Sequence, residues 1–137
     1  MKYQFYQVDV FTNSPFEGNP LAVFMDAEGL TKKTMQKIAK EMNLSETAFL
    51  VPRRNGEFDL RWFTPAVEVD LCGHATLASA HILRELGLAR VGATVRFATS
   101  SGTLSVQIDA DWLHLDFPVE RAEPVETPRA LVDGLGV

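Results

Sequence analysis

The sequence predicts an α+β fold in which strands enclose one central helix, and three observations carry that prediction. From Ala75 to Ala80 no side chain is charged, and small or apolar groups go all the way round the helix. Such a helix, in a chain too short of apolar runs to span a bilayer, is normally surrounded by protein. Short segments of alternating or β-branched character recur on both sides of it. The other clear helical pattern, from Thr31 to about Met42, is apolar on one face only and belongs on the outside.

Tyr3 to Phe11 is aromatic and β-branched and partly alternates, so it reads as a strand. Residues 12–20 form a loop punctuated by two prolines and a glycine, and Leu21 to Met25 is a short apolar strand. Asn19, at the mouth of that loop, is either a polar ligand contact or a residue that only closes a turn. Thr31 is placed to cap the outer helix, whose buried face is Met35, Ile38, Ala39 and Met42. Lys32, Lys33, Lys37 and Lys40 lie mostly away from that face, as a solvated surface does. Asn43 to Glu46 breaks the helix and leads into the strand Thr47–Val51, which Pro52 ends. Glu46, entering an apolar strand, is either a partly desolvated carboxylate with a raised pKa or an ordinary exposed loop residue. Asn55-Gly56 signals a hairpin into the alternating strand Phe58–Phe63.

The central helix follows, with Asp70 or Cys72 available to cap its start and Gly87 to stop it. Three strand candidates come next, Thr94–Thr99, Thr103–Ile108 and Trp112–Phe117, and their short links predict an antiparallel meander. His114 alternates onto the solvent face. His81 follows His74 by two helical turns, which is not the spacing of a metal-binding pair. From Pro118 the chain is polar and proline-rich, as linkers are, before a short helix from Arg129.

The chemistry gathers at the start of the central helix. Backbone N–H groups without partners and the helix dipole favour an anion there. Gly73 lets a ligand approach that backbone, and His74 can donate, accept or carry a proton. Cys72 sits where a helix start lowers a thiol pKa. A buried helix with a routine glycine start and a capping histidine fits the same residues without any function.

Composition bounds the alternatives. The chain of 137 residues is 46% hydrophobic, enough for one globular domain with an ordinary core. Its formal charge is −5, with both signs mixed and no basic run, which argues against nucleic acid or an anionic membrane as partner. One cysteine excludes an intrachain disulfide and fits a reducing compartment. With no signal-like apolar run at the N-terminus, a cytoplasmic protein is expected.

Four motifs then stand in order: Phe11-Thr12 with Pro15-Phe16 and Gly18-Asn19-Pro20-Leu21-Ala22-Val23-Phe24; Asn43-Leu44-Ser45-Glu46-Thr47-Ala48-Phe49; Arg61-Trp62-Phe63-Thr64-Pro65; and Cys72-Gly73-His74-Ala75-Thr76. Together they resemble the phenazine-biosynthesis (PhzF-like) isomerase family, over the chain to about Phe117. The resemblance implies the diaminopimelate-epimerase fold: two similar lobes, each a strongly curved antiparallel sheet around a central helix, with substrate in the cleft between the helix starts. It implies no metal and no organic cofactor. By the resemblance Glu46 is the acid/base residue, and Gly73 and His74 line the substrate site; Asn19 is a candidate substrate contact from its place in the loop. Ser45 and Cys72 are possible accessories. Cys72 matches a catalytic thiol of diaminopimelate epimerase, which needs a second cysteine that this chain lacks.

The family is about twice as long, so residues 1–117 are expected to be an N-terminal lobe. Residues 118–137 are expected to be a linker into a second lobe that is missing here. The leading expectation is an isomerase or epimerase that moves a proton on a small carboxylate-bearing metabolite, in a biosynthetic setting. This chain would supply half of the active site and be inactive alone. A bare cleft surface also predicts a homodimer. Two alternatives are a non-catalytic lobe that binds a small anion or self-associates, and a thiol enzyme using Cys72. Against the thiol enzyme, residues two apart in a helical turn do not face each other, so Cys72 and His74 are expected to point apart.

Overall fold

The computed structural model describes residues 2–119 and 121–136. The elements run β1 (Tyr6–Val10), β2 (Asn19–Phe24), α1 (Lys32–Met42), β3 (Glu46–Pro52), β4 (Phe58–Phe63) and β5 (Glu68–Val69). After these come α2 (Gly73–Glu85), β6 (Thr94–Thr99), β7 (Gly102–Ile108), β8 (Leu113–Asp116) and α3 (Arg129–Leu135). The strands form one sheet in the order β1-β2-β3-β4-β6-β7-β8, with β5 paired to β4. Helix α2 packs on β1, β2 and β3 and also on β7 and β8. Strands from both ends of the order can reach one helix only if the sheet curls round it, so the predicted enclosure is present.

The sheet is not uniformly antiparallel, however. Its β2–β3 and β4–β6 pairs are parallel. Each joins strands whose connection passes through a helix, α1 in one case and α2 in the other. A parallel pair needs such a crossover, whereas the hairpins β3–β4, β6–β7 and β7–β8 close antiparallel. The second parallel pair is short, Phe58 with Phe97 and Asp59 with Ala98.

Alternation along the strands divides the apolar residues between two cores. Leu21, Val23, Ala48, Leu50, Leu60 and Trp62 face α2, together with Phe97, Leu104, Val106 and Ile108. Their strand neighbours Ala22, Phe24, Phe49 and Phe63 face outward and meet Met35 and Ala39 of α1. In this outer layer Phe24 stacks on Phe49 at 5.0 Å, and Phe49 meets Phe63 edge-on at 5.5 Å. Ala75, Ala78 and Ala80 are shut off from solvent, and their small size lets the strands come close on every side of α2. The buried hydroxyls of Thr76 and Ser79 donate back to the Cys72 and Ala75 carbonyls, both at 2.7 Å, so they cost no unpaired polar group. Gly87, at φ +71°, ends the helix in the left-handed conformation, and the Leu88 N–H bonds back to Leu83. None of the described residues of α3 is buried, and none of the described residues from 118 to 128 belongs to either core. Among the described residues no helix is long and apolar enough to cross a membrane.

Candidate active site

The parallel pairing of β2 with β3 sets the first half of the site. It places Leu21 beside Glu46, and so brings the start of β2 against the turn that precedes β3. There the Ser45 hydroxyl lies 3.1 Å from Asn19 Oδ1 and 3.2 Å from the Pro20 carbonyl, and its single proton serves one of them at a time. Asn19 therefore holds the Ser45–Glu46 turn in place.

The second half comes from the start of α2. Cys72 is the N-cap, with extended backbone (φ −147°, ψ 107°), and its side chain makes no capping hydrogen bond. Because it lies outside the helix, the rule that separates residues two apart does not apply. Its Sγ sits 3.4 Å from His74 Nδ1. The expectation that the two point apart is overturned, and the physical reason is the backbone bend at Cys72. On the other side of the ring, His74 Nε2 lies 3.0 Å from Glu46 Oε2, with the two side chains 14% and 20% exposed. That contact is close but not aligned as a hydrogen bond, so both atoms are buried without a hydrogen-bond partner. Buried polar atoms without an aligned partner are rare in folded proteins and call for an explanation, strain or a catalytic role among them.

The thiol also departs from expectation. Burial pushes Cys72 up to about 11, and the neighbouring Glu46 carboxylate adds to the shift. The Ala75 N–H, near the sulfur but closing no capping bond, offsets part of it. A helix start lowers a thiol pKa only when solvent or another charge supports the thiolate, and here desolvation wins.

Gly73 departs in a different way. A Cβ built there would lie 2.5 Å from Phe117 Cζ, so the space in front of this glycine is filled by an aromatic ring from the end of β8. The glycine is required by a close approach, but by one from within the chain. Phe117 carries no local signal in the sequence and was not among the candidate residues.

Glu46, Cys72 and His74 each offer an atom within 4.8 Å of the others, a spacing that a divalent ion could bridge. The imidazole turns Nδ1 to the sulfur and Nε2 to the carboxylate, however. Lone pairs on the two ring nitrogens diverge, so a single ion could take all three groups only if the ring rotated. The arrangement sets a thiol and a carboxylate against the two nitrogens of one ring.

Other concavities lie elsewhere. One, of about 380 Å³, is lined by Arg61, Trp62, Glu68 and Ser100. Arg61 grips Glu68 through two bonds of 2.6 and 3.0 Å, and Lys32 reaches the same carboxylate at 2.6 Å. The Arg61 hydrogen bonds, with Lys32 behind them, lower the Glu68 pKa to about 2. Sequence reading missed this network, in which two cations share one carboxylate. Another concavity, of about 400 Å³, is lined by Val8, Leu77, His81 and Trp112 and contains none of the predicted site residues. His81 and His114 are both exposed and stand away from the cluster, and His114 pairs with Asp109 at 3.0 Å.

Comparison with known proteins bears on the family and the fold. The family model described as phenazine biosynthesis-like protein matches residues 8–133. An uncharacterised isomerase of Pseudomonas aeruginosa is 52% identical over 137 residues, covering 100% of this chain and 52% of that protein. An uncharacterised isomerase of Halalkalibacterium halodurans is 51% identical over 133 residues, covering 96% of this chain and 50% of that protein. Among solved structures, a PhzF-family phenazine biosynthesis protein from Enterococcus faecalis superposes with a TM-score of 0.85 at 42% identity. It covers 99% of this chain and 52% of that one. The chain thus spans about half the length of the relatives it matches. With a family model running from β1 to α3 and half of all residues shared with such relatives, this chain belongs to the phenazine biosynthesis-like (PhzF) family.

Proposed function

We propose that this chain supplies half of the active site of an isomerase or epimerase that moves a proton on a small carboxylate-bearing metabolite without a cofactor. The observation that carries the reading is the Glu46–His74 pair: a carboxylate oxygen and a ring nitrogen 3.0 Å apart, both buried and both without an aligned partner. A C–H acid beside a carboxylate would meet both groups at once. Glu46 takes the proton, and a proton on Nε2 of His74 stabilises the charge that develops on the substrate oxygen. The uncapped start of α2 favours the substrate anion. A second lobe, of the length by which the relatives exceed this chain, would close the cleft and supply the opposing acid.

Glu46→Gln keeps the shape of the side chain and removes the base. In the two-lobed protein, exchange of solvent deuterium into small carboxylates should fall by about 10²–10⁴-fold, the usual worth of general base catalysis, while binding survives. A serine at Cys72 should cost far less. A dead serine variant beside a nearly normal glutamine variant would replace this mechanism with a thiol one. Although the sulfur does have a base beside it, burial keeps it protonated at neutral pH.

A self-associating lobe has its own support. Phe16 and Phe11 are 93% and 76% exposed in the loop between β1 and β2, and Trp112 is 72% exposed before β8. Aromatic area of that size left open favours association. We expect the 137-residue chain to form a homodimer, seen as a concentration-dependent mass in light scattering. A monodisperse monomer over a wide concentration range would count against it.

A further inference from the structure

We propose that Cys72 is a positioning residue, whose thiol donates to His74 Nδ1 and so holds the imidazole neutral with its one proton on Nε2, beside Glu46. Its catalytic meaning rests on the isomerase reading; the placement of the proton does not.

The argument begins on the far side of the ring. Nε2 and Oε2 are 3.0 Å apart in a place closed to water. With Nδ1 carrying the proton, the electron-rich Nε2 would lie 3.0 Å from a carboxylate oxygen, two acceptors crowded together though not aligned, with no solvent between them. A proton on Nε2 removes that conflict. It leaves Nδ1 as an acceptor, and the neighbour that Nδ1 meets is the sulfur at 3.4 Å. Burial and the Glu46 carboxylate both keep that sulfur protonated, so it has a proton to donate. Among the described residues, the titratable partners of the ring are Glu46 from β3 and Cys72 from the α2 cap.

The contact also bears on the charge of the ring. Next to a carboxylate, an imidazole gains by taking a second proton, and an imidazolium so paired is a poor partner for a carboxylate that must act as a base. The second proton would have to enter at Nδ1, where the thiol already occupies the lone pair. Cys72 thus competes with protonation and keeps Glu46 free. No bond is made or broken in this role: the thiol proton stays on sulfur, and the ring proton stays on Nε2.

The test is nitrogen-15 NMR of the imidazole rings in this chain, which has three histidines. His74→Gln assigns the resonance, and the exposed His81 and His114 serve as internal references. At pH 7 the His74 ring should show the neutral form protonated on Nε2. In Cys72→Ala the ratio of the Nε2-protonated to the Nδ1-protonated neutral ring should fall by about tenfold, the equivalent of one ordinary hydrogen bond. In Cys72→Ser, where a hydroxyl can donate in the same place, the ratio should stay near the parent value. A wild-type ring protonated on Nδ1, or doubly protonated at pH 7, overturns the proposal, and that spectrum decides even if the alanine variant does not fold. An alanine variant with the wild-type ratio also overturns it. The expected spectra in a protein that shows no isomerase activity once its second lobe is present would sink the functional reading and leave the positioning role standing.

Discussion

The two long helices are built on opposite principles. Helix α1 is finished at both ends: Thr31 accepts from the Thr34 N–H at 3.2 Å, and Asn43 closes the far end in the left-handed conformation. It buries one face, through Met35 and Ala39. Helix α2 is buried almost all round, yet its start has no capping side chain. A helix held on every side by strands does not need a cap to survive, whereas a helix held on one side does. The start of α2 then needs no capping side chain, and Cys72, Gly73 and His74 stand there, with the Phe117 ring over the glycine. Packing all round, which stabilises the fold, is what releases one helix end from structural duty.

That contrast can be broken at its core first. Leu83→Ala removes a side chain with no exposure from the middle of the inner layer, and should cost about 2–5 kcal/mol in urea unfolding. Met35→Ala on α1 should fall at or below the lower end of that range, because only one side of the helix must readjust. Equal losses would mean that α2 is no more central than α1.

The caps come next. Thr31→Ala should cost about 1 kcal/mol, the usual value of an N-cap. Moving a capping residue to the other helix, as Cys72→Asp, should bring no comparable gain, since α2 does not depend on its ends. A clear stabilisation there would show that the bare start is a defect of the fold. The last effect is in acid. Glu68, gripped by Arg61 and tied to Lys32 at the start of α1, has its pKa lowered from 4.5 to about 2. A carboxylate depressed on folding contributes stability that is complete above the unfolded pKa and is lost as pH falls through the folded one. The parent chain should therefore lose stability between about pH 4.5 and 2 more steeply than Glu68→Gln, and added salt should blunt the difference.

Much of this molecule is legible in its sequence, for reasons that differ by element. The bounds of α1, β4 and β6 follow from apolar periodicity, which is a local property. The parallel pairings do not, because alternation says which face a residue takes and nothing about the direction of its neighbour. Glu46 was visible only through its motif. By composition it is one more acidic residue after a helix, and its meaning depends on His74, 28 positions away. At Cys72 a single boundary residue decided the outcome. Placed inside the helix it would point away from His74, and placed one step outside it touches the ring. The sign of its pKa shift was misjudged because the helix start is a local cue, while desolvation comes from the strands packed round it. The Phe117 contact joins positions 44 apart and leaves no trace in either neighbourhood.

That last contact has a mechanical consequence. The ring that fills the space before Gly73 belongs to the residue immediately preceding Pro118, where the polar, proline-rich stretch begins. The chain therefore leaves β8 with its last aromatic ring against the first turn of α2. A pull applied beyond Pro118 would be felt first as a lifting of the Phe117 ring from Gly73. An enlarged side chain at position 73 would push back along the same line and shift the chain where it leaves the sheet.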